Sequence, residues 1–223
     1  MALFPAFQDR GQAFPVYITV VAALLFLAFA YFAVGQAAAT RNGAQTAADA
    51  AALAAAQDAR DQLRDGWLGV ILDPAAWGQF LSGQGYVAAL ACDRAESFAA
   101  KNDADLWGDG CARLPVGEEG FRVQVRTRYT VGDSVIPGTE QQHATAEAAA
   151  VIEPRCTFDA PEPDPEPEPA PEPEPGEGPA PEPTPTRPVP IVGLSCDGVP
   201  WEIDPEQPRL PSAADLFTVR LAE

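Results

Sequence analysis

The stretch "RGQAFPVYITVVAALLFLAFAYFAVGQ", residues 10–36, decides how the chain is organised. No charged residue occurs between Arg10 and Arg41, and the most apolar part covers residues 16–34. As a helix this part would rise about 28 Å, close to the hydrocarbon thickness of a bilayer. A helix is required because it satisfies the backbone polar groups internally. Tyr17 and Tyr31 lie near its two ends, where amphipathic rings favour the membrane interface.

A cleaved signal peptide is the alternative for this stretch, because residues 37–39 supply an A-x-A cleavage site. The apolar core is longer than the roughly 7–15 residues of a signal peptide, and Asp9 offsets Arg10 before it. We therefore predict a retained anchor that contacts the lipid bilayer as a transmembrane helix over residues 13–39. Residues 1–12 would lie in the cytoplasm, and the bulk of this single-pass protein outside the cytoplasmic membrane.

The charge of the chain argues against nucleic acid as a partner. The formal net charge is −18, and residues 159–182 hold nine acidic residues and no basic one. Nucleic-acid affinity comes mainly from neutralising phosphates, and this chain has a single Lys and no basic cluster. We exclude that class of function.

An Ala-rich segment follows the anchor, "TRNGAQTAADAAALAAAQDARDQL" at residues 40–63. It has no proline and one glycine, and Ala is the best helix former. We predict a stem helix over residues 40–65, with a break or kink at Asn42-Gly43. Its small side chains suit two arrangements: the helix lies on its own domain, or it packs against other subunits and supports self-association.

Residues 66–158 are predicted to form a small extracytoplasmic domain of the α+β class. A helix is expected over residues 86–106, where apolar residues recur at helical spacing. Residues 120–131 alternate between apolar and polar side chains and predict a strand. The chain then returns over residues 144–154 as a strand or a helix.

The segment over residues 159–190 is a low-complexity Pro/Glu tract. Proline at nearly every second position opposes helices and sheet ladders and favours polyproline II. We predict a disordered, solvated linker that would reach roughly 95 Å if fully extended. The remaining segment, residues 191–223, is too short to form a core alone, so we expect it to dock back or to bind a partner.

Four cysteines follow the apolar stretch: Cys92, Cys111, Cys156 and Cys196. An even count outside the cytoplasm predicts two disulfides, for which three pairings exist. Pairing Cys92 with Cys111 and Cys156 with Cys196 keeps both loops local and is favoured; buried free thiols are the alternative.

No pattern of catalytic residues is present. Nucleophile-elbow, zinc-protease, phosphate-loop and dinucleotide-binding motifs are missing. The one histidine, His143, has no evident partner for a catalytic triad, and no cysteine pair has zinc-ligand spacing. We expect no enzyme activity, no metal and no cofactor.

The residues resemble a known family. Arg10-Gly11 before the apolar helix, followed by "RNGAQTAADAAALAAA" at residues 41–56, resembles the TadE/TadG-like proteins of tight-adherence (Flp-type) pilus systems. The likeness covers about residues 9–60 and continues more weakly through "FRVQVRTRYTV" and "HATAEAAAVI" to about residue 152. It implies a small strand-bearing domain that ends in an Ala-rich strand, which favours the strand for the return.

The resemblance also implies a processing site. Type IV-like pilin precursors are cut after a glycine before the apolar helix, here Gly11, so that the mature chain would begin at Gln12. Flp-type pilins have Glu and Tyr at the fifth and sixth mature positions, whereas this chain has Val16 and Tyr17. The missing Glu fits an assembly-associated or minor component better than a major subunit. The alternative is that Gly11 is simply a small residue at the membrane boundary.

Two functions follow from the sequence. The first is a membrane-anchored minor component or assembly protein of a Tad-type pilus or secretion system, whose partners are other membrane proteins of that system. The second is a single-pass display or adhesion protein of the bacterial cell surface, with no filament, whose Pro/Glu tract presents a disulfide-bonded tip.

Overall fold

A computed structural model of the protein describes residues 13–115, 117–132, 138–159, 190–206 and 209–222. The first element is a continuous helix, α1 (Ala13–Gly69), of 57 residues. At about 1.5 Å per residue it is roughly 85 Å long. The predicted break at Asn42-Gly43 is wrong, because the helix runs through both residues. Gly43 allows a close contact instead, since a Cβ at this position would overlap the hydroxyl oxygen of Tyr129.

The chain then forms a 3-10 turn (Pro74–Ala76) and two helices, α2 (Trp77–Leu81) and α3 (Ala88–Lys101). The helix predicted over residues 86–106 is therefore too long. Asp103 has a left-handed backbone with φ 52°, a conformation that ends helices, and a strand begins at the next residue.

Seven strands and one more short helix complete the described chain. In chain order they are β1 (Ala104–Arg113), β2 (Gly120–Thr130), β3 (His143–Pro154), β4 (Cys156–Phe158), β5 (Ile191–Cys196), β6 (Val199–Ile203), α4 (Ala213–Leu216) and β7 (Phe217–Leu221). The main sheet is antiparallel with the order β1-β2-β3-β7, and a second antiparallel sheet has the order β4-β5-β6. The strand predicted over residues 120–131 is β2, and the return of the chain is the strand β3.

The core lies around the C-terminal half of α1, from about residue 40 onward, called here its outer half. This half packs against α3 and against one face of the main sheet. The side chains that α1 buries completely there are mostly alanines: Ala44, Ala47, Ala48, Ala51, Ala52, Ala55, Ala56 and Ala59. The facing surface of α3 carries Ala91, Ala95 and Ala99, also fully buried. Small residues on both helices let the two backbones approach closely. Larger side chains from β2, among them Phe121, Val123 and Val125, fill the space on the sheet side.

The C-terminal segment packs on this same domain. β7 pairs with β3 at the edge of the main sheet, from Pro154 opposite Phe217 to Ala150 opposite Leu221. Arg155 follows β3 directly and joins three elements: its side chain pairs with Asp197 and donates to the carbonyl of Ala214 at 2.7 Å. The architecture is therefore α+β, with a long N-terminal helix and a small sheet domain, as predicted.

Candidate membrane anchor and outer surface

The N-terminal half of α1, before about residue 40, is its inner half. It exposes large apolar side chains along its length, including Phe14, Leu24, Phe26, Phe29 and Phe32. By length and composition, α1 is the one helix among the described residues that could cross a membrane. Tyr17 and Tyr31 are exposed on it, at 68% and 83%. Their placement at the two membrane interfaces stays a prediction, and Gly11 and Gln12 lie outside the described residues.

The outer half of α1 is covered by the protein's own domain. Leu63 and Trp67 are completely buried together with the alanines, and the side chain of Gln45 donates to the carbonyl of Glu147 in β3. Of the two arrangements considered for the Ala-rich segment, the structure therefore has the helix lying on its own domain. Any packing of this segment against another subunit has only its exposed residues to use, such as Gln57 and Asp61.

Two disulfides each connect a pair of consecutive elements, over sequence separations of 19 and 40 residues. Cys92 with Cys111 joins α3 to β1, and Cys156 with Cys196 joins the neighbouring strands β4 and β5. This is the pairing that the sequence favours because it keeps both loops short, and the even number of cysteines predicts the two bonds.

The Pro/Glu tract has its two ends side by side. The backbone N–H of Asp159 donates to the carbonyl of Gly193 at 3.0 Å, next to Phe158 and Leu194, the last residue pair of β4 and β5. Gly193 has φ 100°, and a Cβ there would overlap the Asp159 carbonyl, so the close approach requires glycine. Residues 160–189 lie outside the described part of the chain. Because their flanks meet, the tract does not separate the C-terminal segment from the domain.

An aromatic cluster fixes the place where the tract leaves the domain. The ring centroids of Trp67 and Trp77 are 5.2 Å apart, and those of Trp77 and Phe158 are 4.6 Å apart. Trp67 is 27 residues beyond Thr40 on α1, which corresponds to about 40 Å along the helix. The tract is therefore rooted at the end of the domain farthest from the apolar half of α1.

The arginines on the outer face of the main sheet have partners. Arg122 pairs with Glu147 at 3.1 Å and Arg128 with Asp105 at 2.6 Å, while Arg126 lies over the ring of Trp107. The hydrogen bond from Arg128 lowers the pKa of Asp105. These contacts leave no concentrated positive charge on this face to attract an anionic ligand.

Tyr86, Arg113 and Glu119 form a second polar cluster at the outer end of the domain. The Tyr86 hydroxyl donates to the Glu119 carboxylate at 3.1 Å, and Arg113 binds the same oxygen at 2.6 Å. Burial, opposed by Arg113 and reinforced by Glu119, raises the pKa of Tyr86 to about 12. The cluster binds the chain before β2 to the start of α3.

His143 makes contacts that belong to the sheet. Its Nδ1 lies 2.7 Å from the carbonyl oxygen of Thr127 and 3.1 Å from that of Tyr129, so this nitrogen carries a proton and donates. Within the described residues there is no group of three or more His, Cys, Asp or Glu placed to hold a metal ion. The sequence offers no signal for this role of the histidine, which depends on the register of β2 and β3.

Comparison with known protein families finds a match for the first part of the chain. Residues 11–58 match the model of a family described as Flp pilus-assembly TadE/G-like. The match covers the apolar half of α1 and most of its Ala-rich half, and it confirms the resemblance seen in the sequence. No curated protein and no solved structure matches the chain.

Proposed function

We propose, from the TadE/G-like segment that the chain carries at residues 11–58, that the protein is a membrane-anchored minor component or assembly protein of a Tad-type pilus or secretion system. The observation that carries the proposal is the coincidence of this segment with α1. One uninterrupted helix includes both the apolar anchor and the core of the folded domain. A partner that binds the anchor within the membrane would therefore orient the whole domain.

The two disulfides support an extracytoplasmic domain, because such bonds persist in oxidising compartments and are rare in the cytoplasm. The N-terminus is then on the cytoplasmic side. Alkylation of thiols in freshly lysed host cells, without reductant and read by mass spectrometry, tests this orientation. Protection of all four cysteines supports it, and alkylation of all four contradicts it.

The mature N-terminus distinguishes the roles within a pilus system. A chain that begins at Gln12 and is recovered from sheared surface material is a processed subunit of a filament. An uncut chain confined to membranes is an assembly protein. A chain that begins at Thr40 has lost its anchor, and this result would contradict the proposal. Mass spectrometry of the N-terminal peptide from membrane and sheared fractions measures all three.

Deletion of the gene tests the connection to pili directly. We expect the deletion strain to lose surface pili and the intact gene to restore them. A Leu24→Arg variant, which places a charge at the centre of the apolar helix, should fail to restore them, because such a charge costs about 2.5–3.5 kcal/mol in membrane insertion. Leu24→Ile is the matched control and should restore pili.

A display or adhesion protein without a filament is the second candidate. The specific observation in its favour is the position of the Pro/Glu tract, which is rooted at the end of the domain farthest from the membrane helix. Normal piliation in the deletion strain, together with accessibility of the tract to an antibody on intact cells, would select this second function.

A further inference from the structure

The strand β3 runs beside α1 and in the same direction. Near its start, the carbonyl of Glu147 accepts a hydrogen bond from Gln45 on α1. At its far end, Pro154 pairs with Phe217, the residue that follows α4, and the carbonyl of Pro211, just before α4, accepts from Arg64 on α1 at 3.1 Å. From 45 to 64 the helix rises about 28 Å, and from 147 to 154 the strand rises about 23 Å. The two lengths are comparable, so the strand runs roughly along the helix axis.

This alignment places the beginning of β3 at the base of the domain. His143 precedes Glu147 by four residues, or about 13 Å of strand, which equals about nine residues of helix. His143 is thus level with about Gln36 on α1. Tyr129, at the end of β2, reaches α1 at Gly43. The two marks place the paired ends of β2 and β3 level with residues 36–43 of α1, around Arg41, the first charged residue after the apolar segment.

The level of the bilayer can be marked on the same helix. Twenty residues, 16–35, span about 30 Å of hydrocarbon, and the headgroup layer adds roughly 5–8 Å on each side. This layer then corresponds to about residues 36–40 of α1. The ends of β2 and β3 lie at that level or directly above it.

The chemistry of this end of the sheet suits headgroups. The Tyr129 side chain is 40% exposed and supplies an aromatic ring with a polar tip, which favours the interface. Arg41 and Gln142 are exposed, and His143 is half-buried with its Nδ1 committed to the sheet. Among the described residues of the loop between β2 and β3, Glu140 is the acidic one. A guanidinium, an amide and a phenol can all donate to a phosphate ester.

We propose that the ends of β2 and β3, from Tyr129 to Gly132 and from Gly138 to His143, rest on the phospholipid headgroups of the leaflet that α1 leaves. The occupant is lipid because this surface is continuous with the membrane helix. The domain is thereby fixed to the bilayer by two contacts, and its outer end points away from the membrane at a defined angle. This inference rests on the membrane anchor of the proposed function and not on its role in pili.

Depth measurements by electron paramagnetic resonance test the contact in the full-length protein. Spin labels are attached to p-acetylphenylalanine at Gln142 or Glu140, so that the native disulfides stay intact. Glu118, an exposed residue at the outer end of the domain, is the matched control, and Leu24 reports on the anchor. The samples are nanodiscs of phosphatidylcholine, with and without phosphatidylglycerol, and the readout is collision with oxygen and with a water-soluble nickel chelate.

We expect nickel accessibility at both Gln142 and Glu140 to be at least about threefold lower than at Glu118, as for a label in the headgroup layer. A further decrease with phosphatidylglycerol would show attraction to anionic lipid, and equal values in both lipids would show a contact with headgroups in general. Equal accessibility at Gln142, Glu140 and Glu118, with Leu24 protected, would overturn the contact and leave the anchor intact. Accessibility at Leu24 would overturn both.

Discussion

The hydroxyl of Tyr129 occupies the space that a side chain on residue 43 would need, so Gly43 and Tyr129 are fitted to each other across the junction of α1 and β2. The contact joins the long helix to the sheet beside it. It explains why a glycine is present in a helix that otherwise favours alanine.

The effect of Gly43→Ala on stability should reverse its sign when Tyr129 is replaced by Phe. Gly43→Ala should destabilise the domain by about 1 kcal/mol, because the methyl group displaces the tyrosine ring. In the Tyr129→Phe background the same change should stabilise by about 0.5–1 kcal/mol, the usual gain of Ala over Gly in a helix. The nearest ring carbon lies 3.3 Å from the Cβ position, which a small shift relieves. Urea unfolding in detergent, followed by circular dichroism, measures all four proteins. The same effect of Gly43→Ala in both backgrounds would show that the contact is unimportant.

The alanines of α1 should not tolerate enlargement. Ala55 is fully buried in the core, so Ala55→Leu should cost about 1–3 kcal/mol of unfolding free energy through overpacking. Gln57→Leu, two residues away on the exposed side, is the matched control and should change stability by less than about 0.5 kcal/mol. If Ala55→Leu left the stability unchanged and altered only the oligomeric state, the alanines would face another subunit.

The two disulfides should contribute unequally to stability. The sequence separations are 19 for Cys92–Cys111 and 40 for Cys156–Cys196, and loop-closure entropy gives about 3 and about 4 kcal/mol respectively. Replacing both cysteines of one pair by alanine should therefore cost more for the second pair. Urea midpoints of the two double variants provide the comparison. A larger loss for the Cys92 and Cys111 variant would mean that contacts of the folded state, and not loop length, decide the order.

Tyr86 should make stability depend on alkaline pH. Its pKa rises from 10.0 to about 12 on folding, because burial disfavours the charged phenolate. The folded protein therefore holds the proton more tightly, and this contribution is complete below pH 10 and lost as the pH rises toward 12.

Ultraviolet absorbance of tyrosinate tests this shift. The difference between the titration curves of the parent protein and of Tyr86→Phe isolates the one residue. A midpoint near 10 in that difference would contradict the burial argument. Glu119→Gln should lower the midpoint, because it removes a carboxylate that helps to keep the phenol neutral.

The elements with a strong periodic or compositional signal could be predicted from sequence. The apolar half of α1 and the alternation in β2 are such signals, and both elements are present. β1 carries no such signal, because its sequence includes Gly108 and Gly110, both at positive φ, where the register with β2 shifts. Glycines interrupt the alternation by which a strand is recognised. α3 ends earlier than the spacing of apolar residues predicts, because Asp103 stops the helix through its left-handed backbone conformation.

Other features of the structure depend on contacts between residues that are far apart in the sequence. Residues 42 and 43 predict a break in isolation, and only the position of Tyr129 shows that the glycine is there for packing. In the sequence His143 is an isolated histidine without an evident partner. Only the pairing of β2 with β3 places its Nδ1 next to two carbonyl oxygens. Cysteine parity predicts two disulfides, whereas the meeting of Asp159 with Gly193 depends on the pairing of β4 with β5.

The pairing of β4 with β5 beside that meeting point has a consequence for proteolysis of the tract. A protease that cut once between residues 160 and 189 would release no fragment, since Cys156 and Cys196 keep the two pieces covalently joined. Changes in the number of Pro-Glu repeats would likewise leave the fold in place, because doubling a loop adds only about 0.6 kcal/mol to its closure. The acidic sequence between Cys156 and Cys196 can thus be cut once or lengthened while the domain stays whole.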